Sequence, residues 1–555
     1  MRLRLPLVFA FCLLIGTLTL ASGAHGTHAV GGTDAKVTDD NNNVDGGAAL
    51  TTPSKDASNR QSNETTVAIS DAVSPVTGLA GDIVAAGAND YRMVPHFADT
   101  WMPIYLSFNG GTTWFGAPPF PAGYNTMVPG FPTDTSAAGL ASPLLGLDAA
   151  GDPVVRFDAD GNLLVGGIAF NRNFDQADRA LDTVTFVARY NFTPGTPATA
   201  STTTAAGTPP HFTYDGTTIV DRGAVGFAVP GVIGFAGNFT DKPWMEVDLN
   251  SSSASPCAGN VYMAQTNFHG SFGSSPVVFS RSTDGASTWS PPRTISTGGP
   301  NEASHNQGAD IAVGSDGTIY VAWEAFSQQG IDSINLVKST DCGRHWAQPV
   351  RVSTINAPQA PGVAFRTPTF AFVAADTTNP NLVYVVYQSL AGDYDVYARR
   401  STNGGASWGP AVQVHDDPGA RHQIFPTTEV SNGALHVAWY DFRNSVTASN
   451  EALDVYYSCT NCDGNTWPAF SHVTRVTDVS HNGNCLLFGG GTAAFHGDYN
   501  ELDARWNGAN HIVNVAWADN RDVAPCDLDP APGPPSNSTG NRNQNIYADK
   551  LVVTP

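Results

Sequence analysis

Ser401-Thr402-Asn403-Gly404-Gly405-Ala406-Ser407-Trp408 is the stretch whose reading decides the fold, because its pattern returns along the chain. Ser107-Phe-Asn109-Gly-Gly111-Thr-Thr-Trp114, Ser282-Thr-Asp284-Gly-Ala-Ser-Thr-Trp289 and Ser339-Thr-Asp341-Cys-Gly343-Arg-His-Trp346 follow the same hydroxyl, Asx, glycine and tryptophan pattern. Thr460-Asn-Cys-Asp463-Gly464-Asn-Thr-Trp467 is a degenerate fifth copy. The chemistry is that of a tight turn: the Asx side chain caps backbone amides, glycine supplies a positive φ, and the tryptophan packs between neighbouring sheets. Trp289, Trp346, Trp408 and Trp467 succeed one another at intervals of about sixty residues, which suits one four-stranded sheet per repeat.

Working outward, a second element precedes the boxes. Ile311 to Trp323 alternates around an Asp316-Gly317 turn, as a β-hairpin does, and similar hairpins fall at Val155–Gly166, Ala371–Tyr387, Val430–Trp439 and Leu502–Trp517. Hairpins and boxes together give seven units, starting near Thr65, Pro153, Lys242, Gly308, Thr367, Phe425 and Asp498. The expected fold is all-β, a β-propeller of four-stranded antiparallel blades, with seven blades as the first choice and six as the second. The long gap between Trp114 and Trp289 holds one unit without a box, Val154 to Tyr190, and a Thr/Gly/Pro-rich stretch, about 193–235, expected to be an insertion. Thr65 to Ile69 is a candidate for the strand that closes the ring.

The composition agrees with short strands and many turns. Only 14% of residues are charged, while glycine and proline number 56 and 38. A formal charge of −22 argues against nucleic acid and anionic lipid as partners. Arg2 and Arg4 precede an apolar run from Leu5 to Leu20 and small residues at Ser22-Gly23-Ala24, so residues 1–24 read as a signal peptide. No second apolar run of spanning length follows, which implies a secreted, extracellular protein with no membrane span after signal removal. Residues 25–62, poor in apolar side chains, read as a flexible low-complexity leader, and 63–555 as the propeller. The six cysteines beyond the signal are expected to form disulfides, in pairings the sequence leaves open.

The octapeptide resembles the Asp box, or BNR repeat, of sialidases and related propellers. That resemblance implies that the boxes are structural and that function sits on the opposite face of the ring. Sialidases are also similar to one another in three arginines that clamp a sugar carboxylate, a tyrosine nucleophile assisted by a glutamate, and an aspartate acid/base. Their first arginine lies in a Phe/Tyr-Arg-Ile-Pro motif. Tyr91-Arg92-Met93-Val94-Pro95 is similar but one residue longer, and Arg92 occupies a loop position repeated by Arg172, Arg443 and Arg521.

Those loops follow the second strand of their units: Asn89-Asp90-Tyr91-Arg92, Asn171-Arg172, Asp441-Phe442-Arg443-Asn444 and Asp519-Asn520-Arg521-Asp522. Strand alternation puts them opposite the boxes. There Arg92, Arg443, Arg521, Asp441, Asp519 and His496 are expected to bind a ligand through bidentate contacts. The alternative is that each Asp clasps its neighbouring Arg. Segments entering the blades open on the same face and add His305-Asn306-Gln307, Arg366, Arg421-His422 and His496-Gly497-Asp498-Tyr499. Tyr499, Asp498 and Glu429 are the catalytic candidates, with Glu246 an alternative partner for Tyr499, although nothing in the spacing selects a pair.

The sequence shows no phosphate loop, His-Glu-x-x-His helix or nucleophile elbow, and neither a cofactor nor a metal is expected. The expected function is binding of an extracellular glycan or glycoprotein on the face opposite the boxes. Hydrolysis of terminal sugars by an exo-glycosidase of sialidase type is the alternative, and a structural or adhesion module the second alternative.

Overall fold

The computed structural model describes residues 29–38, 44–45, 48–49, 61–91, 100–114, 127–132, 134–171, 183–194, 211–223, 237–270, 273–297, 305–327, 331–447, 449–471, 473–488, 493–523, 526 and 543–555. The expected signal peptide, Arg92 and Arg172 lie outside the described residues.

Seven antiparallel sheets succeed one another around an axis, as the repeat count requires. Their innermost strands are Ser62–Ile69, Ala149–Phe157, Asn238–Val247, His305–Val313, Phe372–Ala375, Gln423–Ser431 and Glu501–Trp506, which define blades 1 to 7. Blades 2 to 6 have four strands paired in sequence order. Blade 1 has three, the others being Val84–Asp90 and Ile104–Ser107. The outer strand of blade 2, Phe212–Arg222, comes from within the stretch read as an insertion. The described residues contain one α-helix, Ala137–Ala141.

Closure differs from the expectation. Thr65 to Ile69 belongs to the innermost strand of blade 1. The strand of blade 7 that ends the chain, Asn545–Val553, instead pairs on its outer edge with Ala29–Val30 and Ala35–Lys36. The segment read as a leader therefore supplies the outer edge of the last blade. Its low hydrophobicity concealed this because an outermost strand needs only backbone hydrogen bonds and half a buried face.

The Asp boxes form the turns after third strands. In the box of blade 5, Gly405 N donates to Ser401 Oγ at 2.9 Å and Ser407 N to Asn403 Oδ1 at 2.9 Å. The equivalent bonds recur at Ser107/Asn109, Ser282/Asp284 and Ser339/Asp341. In the second box Ala286 takes the position of the glycine at φ 62°. In the degenerate box Asn461 replaces Asp463 as the cap, accepting from Trp467 N at 3.0 Å. Each box tryptophan leans on the preceding blade: Trp346 meets Phe279 edge-on at 4.7 Å, and Trp467 lies 5.6 Å from Tyr384. Disulfides join Cys257 to Cys342, Cys459 to Cys462 and Cys485 to Cys526.

Between blades the core is aromatic. Trp244, Trp323, Trp439 and Trp517 are fully buried, each removing roughly 200 Å² from water, a gross gain of about 5 kcal/mol. Around the axis the inner strands are also stitched by side chains of the preceding blade. Val67 N donates to Glu501 Oε2, Val155 N to Thr66 Oγ1, Lys242 N to Asp152 Oδ2, Val373 N to Asp310 Oδ2 and Leu502 N to Thr427 Oγ1. Amides that a flat sheet would leave unpaired at the crowded axis are satisfied this way.

Candidate functional site

The site begins with a backbone irregularity. Inner strands of blades 1, 2, 3, 4 and 6 each skip register near their start, as β-bulges, between Asn63/Thr66, Gly151/Val154, Asp241/Trp244, Gln307/Asp310 and Ile424/Thr427. Within each skip one residue has positive φ: Glu64 at 52°, Asp152 at 53°, Lys242 at 49°, Gly308 at 68° and Phe425 at 50°. Side chains dislike this region by about 1 kcal/mol. Fixed partners offset the cost: Asn89 donates to Glu64 Oε2 at 2.6 Å and accepts from Asp152 N at 2.8 Å, while Gln388 accepts from Phe425 N at 2.6 Å. A bulge re-aims the side chains beside it. Here it brings polar groups from several blades together at the mouth of the channel opposite the boxes.

The mouth gathers Glu64 from blade 1, Asp152 from blade 2, Asp241 from blade 3, Arg366 from the segment entering blade 5, and Asp498 from the segment entering blade 7. The guanidinium of Arg366 holds both oxygens of Asp498, reaches 3.7 Å from Glu64 Oε1 and lies over the Phe495 ring. The Asp152 carboxyl lies close enough to Glu64 and Asp241 to act on both. Gln307 donates to Asp241 Oδ2 at 3.1 Å. Burial first, then the charges of Asp152 and Asp498, push the Glu64 carboxyl well above the usual range. Burial and the Asp152 charge do the same to Asp241. Asp498 is pushed up by burial but held to about 6 by Arg366.

Beneath this ring Lys242 is sandwiched, its Nζ 3.9 Å from the Trp244 ring centroid and 3.8 Å from that of Tyr499. Burial lowers its amine to about 8, against the opposing charges of Asp152, Asp310, Glu64 and Glu501. Tyr499 is 2% exposed, and its hydroxyl has no hydrogen-bond partner among the described residues. Burial, and then the charges of Glu64, Asp152 and Asp498, push that hydroxyl well above its ordinary value, so it remains a donor.

Further down the channel is a second polar layer. Arg156 bonds Glu246 at 3.0 Å and Glu501 at 2.9 Å. Below it a cavity of about 400 Å³ extends toward the box face, lined by ends of all seven inner strands and including Glu429, Asp503 and Arg505. Glu429 and Glu246 thus belong to this lower layer. The charged groups around Tyr499 include Lys242, Glu64, Asp152, Asp498 and Glu501.

The Asp-x-Arg loops are placed otherwise. Asp441 accepts from Trp439 Nε1 at 2.8 Å and from Arg443 Nε at 2.9 Å, while Arg443 also bonds Asp416 at 2.7 Å and stacks on Tyr456. Asp519 accepts from Trp517 Nε1 at 2.9 Å and pairs with Arg521 at 2.7 Å; Arg521 also binds Asp34 of the closing segment and stacks on Tyr547. Although burial disfavours its charge, His481 and Arg521 hold the Asp519 carboxyl well below the usual range. Both arginines are engaged within their own blade or its closing strand. His496 is fully buried against His481 and Phe365, bonds Asn520 at 3.0 Å, and is lowered by burial to about 3. It is a neutral wall residue beside the mouth.

Of the residues anticipated from sequence, the structure brings Asp498, Tyr499 and Arg366 together at the axis. Glu64, Asp152, Asp241 and Lys242 were not anticipated. The signal for them was present: each adjoins or opens a repeat unit, at Thr65, Pro153, Lys242 and the aligned unit starts. Among the described residues no group of three or more His, Cys, Asp or Glu side chains is arranged to hold a metal ion.

Boxes and blades together define the class: the chain is an all-β Asp-box propeller. A BNR repeat-like domain model matches residues 273–499, and the protein is a seven-bladed β-propeller. No curated protein matches. Solved structures that are similar include a protein of unknown function from Dyadobacter fermentans, with 10% identity, 95% of this chain and 100% of that chain covered and a TM-score of 0.41. An α-L-arabinanase from Penicillium chrysogenum, complexed with arabinobiose, has 16% identity, coverage of 56% and 93%, and a TM-score of 0.33. For a Trypanosoma rangeli sialidase in complex with the inhibitor DANA the values are 10%, 74% and 57%, with a TM-score of 0.37.

Proposed function

We propose that this is a secreted glycan-binding propeller whose ligand docks at the channel mouth, on the face opposite the Asp boxes. The observation that carries the reading is the convergence of Glu64, Asp152, Asp241, Arg366 and Asp498 from five different blades upon one point of the axis. A blade can be stabilised within itself, as Asp441 and Asp519 illustrate. Buried polar groups gathered from many elements at a concave centre are instead the usual make-up of a ligand site. Export is supported by the three disulfides, which suit an oxidising compartment, and no described helix is long and apolar enough to cross a membrane.

A glycan array probed with the purified chain tests the reading. Binding abolished by Arg366→Ala yet retained in Arg443→Ala supports the mouth as the site. Binding lost only in the Arg443 and Arg521 variants would move the site to the Asp-x-Arg loops.

One observation favours a second reading, glycoside hydrolysis. Such enzymes need a protonated carboxyl and an ionised one facing each other. Glu64, whose carboxyl burial pushes well above the usual range, faces Asp498, held to about 6 by Arg366, across the guanidinium. Glu64 would then be the acid and Asp498 the base or nucleophile. Release of nitrophenol from a panel of aryl glycosides, abolished by Glu64→Gln, is the expected outcome. No turnover on any member would leave binding as the sole function.

A further inference from the structure

The mouth is richer in acceptors than in donors, and this bears on which glycan it can take. Four carboxyls, those of Glu64, Asp152, Asp241 and Asp498, face it. Of the two cations nearby among the described residues, Arg366 is already committed to Asp498 and Glu64, and Lys242 is buried between two aromatic rings one layer below. An anionic sugar would therefore meet repulsion with no free cation among the described residues to offset it. A neutral sugar would find acceptors crowded together.

A separate observation points to a ligand. The Tyr499 hydroxyl is buried and without a partner among the described residues; Tyr499 follows Asp498 in the chain, and its ring lies against Lys242, whose amide is bonded to Asp152. An unpartnered buried hydroxyl forfeits about 1–3 kcal/mol, which a ligand oxygen would restore.

Resting on the reading of the mouth as a glycan site, we propose that it recognises an amino sugar, whose free primary ammonium group sits among Glu64, Asp152 and Asp241 while Tyr499 donates to a sugar oxygen. An ammonium brings three donors and one positive charge. It can take the place of a proton that burial favours on Glu64 or Asp241. Charge balance then fixes the accompanying event: the ammonium stays protonated, a carboxyl gives its proton to solvent, and about one proton is released for each ligand bound. The other charged groups packed around this point are Arg366, Lys242, Asp310 and Glu501.

Isothermal calorimetry on the full chain with three matched trisaccharides tests the proposal: triglucosamine, tri-N-acetylglucosamine and cellotriose. Triglucosamine is expected to bind at least about tenfold more tightly than the other two. Its heat near pH 6 should vary with the ionisation enthalpy of the buffer, as release of about one proton requires. Asp241→Asn should reduce that preference at least about fivefold and diminish the proton release. Equal binding of all three sugars overturns the amino-sugar assignment while leaving the glycan reading intact. Binding of spermidine as tight as that of triglucosamine overturns it too, because charge alone would then be recognised. Absence of binding by every sugar removes both readings together.

Discussion

Arg366 and Asp498 form a two-pronged ion pair between the segments entering blades 5 and 7, which are separated by a whole blade. The pair is therefore a property of the ring and of no single sheet. The Arg366 side chain is 62% exposed, so solvent screens it, and its contribution to stability is small. Its Asp498 partner is 10% exposed, which fixes the guanidinium where a ligand would meet it.

Arg366→Ala is accordingly expected to weaken ligand binding at least about tenfold, because the guanidinium holds Asp498 and Glu64 in place and its remaining donors meet sugar hydroxyls, with little change in the denaturation midpoint. Arg366→Lys should restore part of the affinity, since it keeps the charge and loses the fork. A large fall in stability with unchanged binding would assign the residue to the scaffold.

Arg443→Ala and Arg521→Ala should behave in the opposite way. Each leaves a fully buried carboxylate, Asp441 or Asp519, short of a partner. A loss of about 2 kcal/mol in stability with ligand affinity unchanged is the expected result of chemical denaturation and titration. Arg521 should also loosen the closing strand through Asp34.

The Asp503 carboxyl gives a pH test in the lower channel. Burial pushes it up to about 7, against the Ile69 amide and Arg156. Its folded value lies above the unfolded one, so the native state holds the extra proton and stability from this group is lost as pH rises from about 4 through 7. Relative to wild type, Asp503→Asn should gain stability across that window and level off above it. A difference independent of pH would show that the carboxyl ionises normally in the channel.

Removal of residues 25–38 tests the closure. The outer edge of Asn545–Val553 would lose its partners at Val553, Val552, Ala548 and Tyr547. An exposed edge recruits other strands, so the truncated chain should denature earlier and associate with rising concentration, as light scattering would report. A monomeric truncation of undiminished stability would show that three strands suffice for blade 7.

Much of the ring was legible because its signals are local. The box turn depends on residues four apart, such as Ser401 with Gly405 and Asn403 with Ser407, and so survives as a pattern in the sequence. The hairpins are equally local, which is why all seven units could be located. Closure was not legible, since Ala29 and Val553 meet from opposite ends of the chain and neither carries a distinctive side chain. The site was half legible. Asp498 and Tyr499 were noticed as a dense polar cluster, while Asp441 with Arg443 drew attention by repetition. Repetition marks what every blade needs for itself; the mouth is made of positions where the blades differ, Glu64, Asp152, Asp241 and Gln307. Only the bulges, a backbone feature invisible in side-chain patterning, place those residues at one point.

The stitching of each inner strand to a side chain of the blade before it makes the ring behave as a hoop. Lys242 N on Asp152, Val155 N on Thr66 and Val67 N on Glu501 fix neighbouring blades at their innermost edge, where any radial movement would break a bond. Like charges inside a hoop cannot relieve their repulsion by moving apart. Glu64 and Asp241, on either side of Asp152, are left with two ways to lower it, keeping a proton or admitting a cation, and the rigidity of the frame thereby makes proton uptake and ligand capture alternative occupants of the same space.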